Sequence, residues 1–446
     1  MSAPQVLVVG GGLSGVAAAT LLRRAGCGVE LLERENRPGG RAAGAAREGF
    51  RLDAAPFLAG ASERRLLGLI ADAGLAERLL PLRPIALVHA RGGRLDPAPP
   101  AGRRREVARI GGVRLREALR LHRLARLERR FTELLAPEAP ERAVRLDDRS
   151  AADFVRLYFG PSVLERWAEP ILASDLLADA AETSRVAFLL ARRARGEAPL
   201  GTLRGSPAEI ADALLRPEDG LSLEVRGLEP AGAGLALDTT AGPRRADAVV
   251  LALPAAETLR VAAPALGPAE REGLAASRAL AAIVVHVALA RAPTRKATRI
   301  RVPGAEGLPL ATVAVEPGGA GAPAPRDAAL VTLVATSRWS AAHLAADDSV
   351  VEKELFGALD RVLPGTSAGV RFREIRRYAQ ALPHFDVGRY RALARLRSLD
   401  AERRAGGRRL YFAGDHWLAP TLDAAIASGR RAALELCADF GVPAPG

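Results

Sequence analysis

Apolar positions recur along this chain with two periods, and its opening segment shows both. Val6 to Val9 form a short unbroken apolar run, the pattern of a strand buried on both faces. The run stops at Gly10-Gly11-Gly12. From residue 14 to 24 the apolar positions Val16, Ala17, Leu21 and Leu22 recur at helical spacing, and Arg23 and Arg24 fall where a helix dipole favours cations. Gly26 and Gly28 close that helix, and 29–33 reads as a second strand. Strand, helix and strand in this order predict a parallel βαβ unit.

The same reading extends to the C-terminus. A helix is predicted over 66–80, with short strands near 85–89 and 93–95. A Pro/Arg stretch at 97–105 leads into helices. The segment 114–135 reads as a basic amphipathic helix with Leu115, Ala118, Leu119, His122 and Ala125 on its apolar side. Helices follow at 153–159, 164–177 and 208–215, then a strand at 221–225, a hairpin, and an apolar strand within 246–254. Further strands are expected at 282–289, 310–315, 330–336 and 372–382, with a helix at 348–363. A last strand ends at Gly414, and a helix runs from Thr421 to about 436.

Composition narrows the class. With 446 residues, 49% hydrophobic and 26% charged, the chain is globular and long enough for roughly two to three domains. The formal charge is +13, and Lys296 and Lys353 are the only lysines, so the basicity is almost all arginine. Arginine is spread along the chain and aromatics are 4%, which argues against nucleic-acid binding. Cys27 and Cys437 lack metal-type spacing and read as small buried thiols in a reducing, cytoplasmic compartment. No stretch reaches the ~20 apolar residues of a membrane span, and no metal site is expected. The helix at 114–135 leaves open a peripheral contact with the inner face of a membrane.

The candidate chemistry begins at the first turn. Gly10, Gly12 and Gly15 fit G-x-G-x-x-G between a strand and a helix, so backbone can approach a pyrophosphate, and Leu13 and Ser14 open the helix over it. Glu33, followed by Arg34, ends the second strand about twenty residues on, where a carboxylate binds an adenosine ribose. Gly39-Gly40 and Arg41 then add a second glycine turn with a cation for a phosphate or a ring edge.

These segments together resemble the superfamily of flavin amine oxidases, protoporphyrinogen oxidases and phytoene desaturases. The likeness continues through Gly49 to Pro56, with Ala55 where the family has glycine, and through the strand ending at Pro254. It ends on Phe412-Ala413-Gly414-Asp415 and the helix beyond. The stretch from Ala381 to Gly388 is similar to protoporphyrinogen oxidases, with Phe385 and Arg389 replacing a tyrosine and a histidine. The resemblance implies an α/β fold. A Rossmann-like FAD-binding domain of glutathione reductase type would be assembled from 1–80, 201–278 and 396–446. An α+β substrate domain would have a helical part at 81–200 and a β-rich part at 279–395. It further implies non-covalent FAD, with Val225 at the adenine, Pro254 closing the site, Asp415 on ribityl or pyrophosphate oxygens, and Thr421 and Leu422 opening a helix toward the flavin.

The activity implied is hydride removal from a small apolar substrate, ring-bearing or isoprenoid-like, with oxygen or a quinone as acceptor. The chain would act as a monomer or homodimer. His384 and His416 flank the expected flavin segments and are the candidate catalytic side chains. Two alternatives stay open. One is a flavin amine oxidase, although the strand over 280–287 lacks the lysine of that branch. The other is a non-catalytic FAD-binding protein.

Overall fold

In the computed structural model, which describes residues 3–60, 62–98, 104–195, 200–232 and 234–445, the chain adopts a mixed α/β fold. The elements that frame the site are, in chain order, β1 (Gln5–Val9), α1 (Leu13–Arg24), β2 (Gly28–Leu32), β3 (Ala248–Leu251), β4 (Ala279–Leu289), β5 (Thr298–Arg301), β6 (Leu310–Pro317), β7 (Ala329–Ala335), β8 (Val370–Pro383), β9 (Leu410–Phe412) and α2 (Leu422–Phe440).

One sheet has the order β9-β3-β1-β2 and every pair in it is parallel. Its central strand is apolar on both faces, as parallel sheets require. Val6 and Val8 pack with Val16, Leu22, Ile426 and Leu436 from α1 and α2. Leu7 and Val9 pack on the other side with Leu228, Leu237 and the helices beyond. Helix α2 lies along α1, so the last helix of the chain braces the first.

A second sheet has seven strands in the order β8-β4-β7-β6-β5, followed by the hairpin Ala86–Arg91 and Arg94–Pro97. Period-two alternation gives it two unlike faces. Ile283, Val285, Val313 and Leu333 bury against Val351, Leu355 and Leu359 of the helix Asp348–Val362. The opposite face presents His286 beside Thr332, with Glu316 beside Leu330 on the neighbouring strand pair.

Four readings change. The helix over 66–80 is two pieces, Arg64–Asp72 and Ala76–Leu79, split where Gly74 turns at φ 69°. The basic helix over 114–135 is Leu115–Leu119 and His122–Arg130, joined by hydrogen bonds of i→i−3 type at Leu121 and Leu124. That tighter turn shifts the helical phase. Ala118, Leu121 and Leu124 face inward, while Leu115 and Leu119 are 64% and 47% exposed. The strand over 221–225 instead starts at Val225, because Ser222 takes a positive φ of 54° and the segment before it bonds to the end of β2. The supposedly β-rich stretch before 395 ends in a helix, Arg389–Ala405, whose buried positions Tyr390, Leu393 and Leu396 are masked in sequence by arginines. Residues 99–103 of the Pro/Arg stretch lie outside the described residues. Among the described residues no helix is long and apolar enough to cross a membrane.

Candidate active site

The turn after β1 is built by close backbone approach. Gly10 has φ 106°, and a β-carbon there would stand 2.6 Å from the Ala252 carbonyl oxygen. A β-carbon on Gly15 would collide with the carbonyl of Gly10. Gly12 differs: it is extended, at φ −69° and ψ 170°, and nothing lies within 4 Å of an added β-carbon. It is the N-cap of α1 and supplies no side-chain cap. The first-turn N–H groups, at Leu13, Ser14 and Gly15, therefore have no intrahelical acceptor and add to the positive end of the helix dipole.

Glu33 is buried at the end of β2. Its Oε2 accepts from the Gly11 N–H at 2.6 Å and its Oε1 from the Glu35 N–H at 2.9 Å. A carboxylate has about four acceptor positions, so two remain for a ligand. Gly39 donates its N–H to the Gly11 carbonyl at 2.8 Å, and a β-carbon on Gly40 would lie 3.3 Å from the Gly12 Cα, so the two glycine turns face each other. Arg34 is exposed and runs toward Glu35 and Glu257.

Arg41 reaches across the chain. Its Nη2 meets Asp415 Oδ1 at 2.7 Å, and its Nη1 donates to the Ala381 carbonyl at 2.9 Å. Gly414, at φ 132°, donates its N–H to Ser428 Oγ at 3.1 Å. Thr421 caps α2 by accepting from the Ala424 N–H at 3.1 Å, and Leu422 is the first residue of that helix. Farther along α2, a β-carbon on Gly429 would collide with the Ser14 carbonyl, which sets α2 against the start of α1. Pro254 caps the helix Ala255–Ala262 next to Ala252, and Val225 is buried opposite Thr239, just past the segment that bonds to Glu33.

These groups suit a dinucleotide carrying a flavin. The open backbone at Gly12 and the uncapped helix end leave room and donors for a pyrophosphate, Glu33 keeps spare acceptor positions for hydroxyls, and Arg41 with Asp415 offers a donor and an acceptor farther along.

His416 and His384 sit in different surroundings. His416 is buried, and neither ring nitrogen has a partner among the described residues. Burial, with Arg389 and Arg41 nearby, holds its imidazole well below the ordinary histidine range, so it is neutral. Arg389 donates to its backbone carbonyl at 3.1 Å, and Trp417 stacks on Phe412 with ring centroids 5.3 Å apart. His384 places Nε2 3.4 Å from Thr183 Oγ1, and burial lowers its pKa too. It leans on the helical region.

A cleft open to solvent lies over the polar face of the seven-stranded sheet. Arg51, Asp53, Pro56, Arg83, Thr202, His286 and Glu316 are among its lining. Its wall at Pro207 continues into Ala208, whose Cβ lies 3.5 Å from where a β-carbon on Gly39 would stand. The cleft thus borders the second glycine turn. Beside the Arg41–Ala381 contact is an apolar patch of Ala282, Val284 and Val334 with Leu177, Tyr378 and Ala381. Sequence reasoning passed over the cleft because its residues come from separate segments. Arg51, Asp53 and Pro56 fall in the recognised segment from Gly49 to Pro56, but Arg83, Thr202, His286 and Glu316 belong to no recognised motif.

With this geometry in hand, the comparisons with known proteins are consistent. The sequence profile of the family described as flavin containing amine oxidoreductase matches residues 13–437. A carotenoid phi-ring synthase from Streptomyces griseus is 31% identical over 428 residues, covering 89% of this chain and 81% of that protein. In structure, a protein assigned as a protoporphyrinogen oxidase from Exiguobacterium sp. 255-15 superposes with a TM-score of 0.76 at 19% identity, over 99% of this chain and 100% of the other. Putrescine oxidase bound to putrescine gives 0.77 at 18% identity, over 98% and 99%.

Proposed function

Since this chain belongs to the flavin containing amine oxidoreductase family and is an FAD-dependent oxidoreductase, we propose that it dehydrogenates an apolar, ring-bearing or isoprenoid-like substrate with FAD held non-covalently. The FAD would lie in a Rossmann-like domain of glutathione reductase type, assembled from 1–80, 201–278 and 396–446. The substrate would be enclosed by the remainder of the chain. Oxygen or a quinone would take the electrons. The observation that supports the substrate reading is the small apolar cluster beside Arg41, where buried Ala282, Val284 and Val334 are edged by the half-buried Leu177, Tyr378 and Ala381. The phi-ring synthase is named for carotenoids and points to the same class.

Hydride acceptance is the chemistry a bound flavin supplies. The chain's own part is to bind, orient and keep water out. Gly10, Gly12, Leu13, Ser14 and Gly15 take the pyrophosphate, and Glu33 the ribose. Gly39 and Gly40 bring backbone close, with Arg34 at the rim, Val225 at the adenine and Pro254 closing the turn. Arg41 fixes Asp415, which accepts from ribityl hydroxyls. The N-terminus of α2 at Thr421 and Leu422 stabilises negative charge placed before it. Trp417 and Phe412 shield this corner from water. His416, neutral and without a partner, is placed to exchange a hydrogen bond there, whereas His384 acts through Thr183.

An amine substrate fits less well. Strand β4 carries no lysine. The test is anaerobic: the yellow protein is mixed in turn with carotenoid precursors, porphyrinogens and amines. Bleaching by a carotenoid precursor supports the reading, and bleaching by amines alone overturns it. Denaturation should free all colour into solution; colour left on the chain refutes non-covalent attachment.

A further inference from the structure

The cleft over the sheet contains two ion pairs and a remainder. Arg51 Nε meets Asp53 Oδ2 at 3.0 Å, and Arg83 Nη1 meets Glu316 Oε2 at 2.8 Å. His286 Nδ1 lies 3.2 Å from Thr332 Oγ1. Those contacts leave three buried atoms without a hydrogen bond of ordinary geometry among the described residues, His286 Nε2, Thr202 Oγ1 and Asp53 Oδ1, although the His286 ring also approaches the Asp53 backbone. His286 is 1% exposed and Thr202 is buried, and all three residues line the same cleft. Buried polar groups are ordinarily satisfied, so three orphans around one opening mark a place for a polar guest.

Their chemistry defines the guest. Asp53 Oδ1 only accepts, Thr202 Oγ1 donates or accepts, and His286 Nε2 does either according to tautomer. A group that both donates and accepts satisfies the set. Burial and the neighbouring Arg376 bring His286 down to about 4, so it stays neutral. The two arginines and two carboxylates of the cleft offset one another, and Arg299, which donates to the Pro56 carbonyl in the cleft wall, adds a cation that disfavours an ammonium. An anion finds both arginines already paired.

We propose that this cleft is a specificity subsite for a neutral hydroxyl group of an otherwise apolar substrate, held by His286, Thr202 and Asp53. It rests on the reading of the substrate as apolar and adds one oxygen function to it. The subsite opens beside Gly39, and a molecule resting on the half-buried edge of the apolar cluster, at Tyr378 and Ala381, would reach it along β4, where His286 is two residues beyond Val284 on the same face.

The experiment uses the flavin-loaded protein and a probe pair, geraniol and the same terpene skeleton with a methyl group in place of the hydroxyl. Binding is titrated by flavin absorbance and tryptophan fluorescence. The alcohol should bind on the order of tenfold more tightly, the worth of one good hydrogen bond to a desolvated site. His286→Leu should abolish the preference and Thr202→Val should reduce it, with hydrocarbon affinity and flavin content unchanged. Equal affinities in the wild type, or a preference that survives both substitutions, would overturn the proposal. A chain that takes up no flavin would instead refute the function proposed above, while calorimetric titration still compares the two probes at the cleft.

Discussion

Arg41 and Asp415 are 374 residues apart in sequence, and their side chains meet at 2.7 Å. The pair joins the second glycine turn to the segment that leads into α2, and the other arm of Arg41 holds the Ala381 carbonyl of β8. One planar guanidinium therefore ties three distant segments at the corner where the apolar patch begins.

The first expectation follows from that fork. Arg41→Ala should weaken flavin retention on the order of tenfold, since a charge-assisted bond is worth about 1.5–3 kcal/mol and this side chain is partly exposed. Arg41→Lys should recover only part, because an ammonium cannot span both oxygens in the fixed fork geometry. Flavin content after dialysis is the measurement. Wild-type retention in Arg41→Ala would exclude Arg41 from the site.

Two glycine substitutions separate binding from folding. Gly12→Ala places its methyl in open space on an ordinary backbone, so thermal and urea stability should be nearly unchanged, while flavin uptake falls sharply. Gly429→Ala drives its methyl into the Ser14 carbonyl and should cost about 1–3 kcal/mol of stability by overpacking α2 against α1. Full flavin occupancy in Gly12→Ala would remove the pyrophosphate from this turn.

The contrast between those glycines shows what was legible in the sequence. Gly10, Gly12, Gly15 and Glu33 fall within one short βαβ unit, so their spacing carries the geometry. Most strands of the second sheet were readable from their apolar positions, but β5 was not, because Arg299 and Arg301 interrupt so short a run. The cleft was not, because His286 and Thr332 become neighbours through the pairing of β4 with β7, and Asp53 and Thr202 arrive from other segments. Register is a tertiary outcome, and no local pattern reports it. The basic helix failed for a local reason: it breaks at a tight turn near Leu121, and Ala118, Leu121 and Leu124 face inward while Leu115 and Leu119 stay exposed.

Buried histidines give the chain an acid-sensitive stability. His89 is brought down to about 3 by burial and Arg301, against 6.5 when unfolded. The folded state then binds fewer protons than the unfolded state below pH 6.5. Stability is present above that value and is lost as pH falls toward about 3. Burial pushes Glu316 and Asp400 up, and these carboxyls act in the opposite sense. A difference measurement isolates the histidine. Between pH 7 and pH 5 the wild type should lose about 2 kcal/mol more in urea unfolding than His89→Leu. Parallel pH profiles for the two proteins would contradict a neutral buried His89.

The exposed leucines of the basic helix lead to the last expectation, a peripheral contact with an anionic membrane. Leu115 and Leu119 stand exposed among Arg116, Arg120, Arg123 and Arg126, and Leu157, 64% exposed, lies three residues before Gly160, which abuts Glu117 of the same helix. Each arginine near an anionic surface contributes about 1 kcal/mol, and that part is screened by salt; insertion of the leucines is not. Sedimentation with mixed phosphatidylcholine and phosphatidylglycerol vesicles at about 0.15 M salt should carry the protein down. Arg120→Glu with Arg123→Glu should release it by reversing charge, and Leu115→Ser with Leu119→Ser by removing the apolar anchor. If the two double variants sediment like the wild type, or if the wild type stays in solution, the membrane contact does not exist. Release by the charge variant alone would show a surface held by electrostatics without leucine insertion.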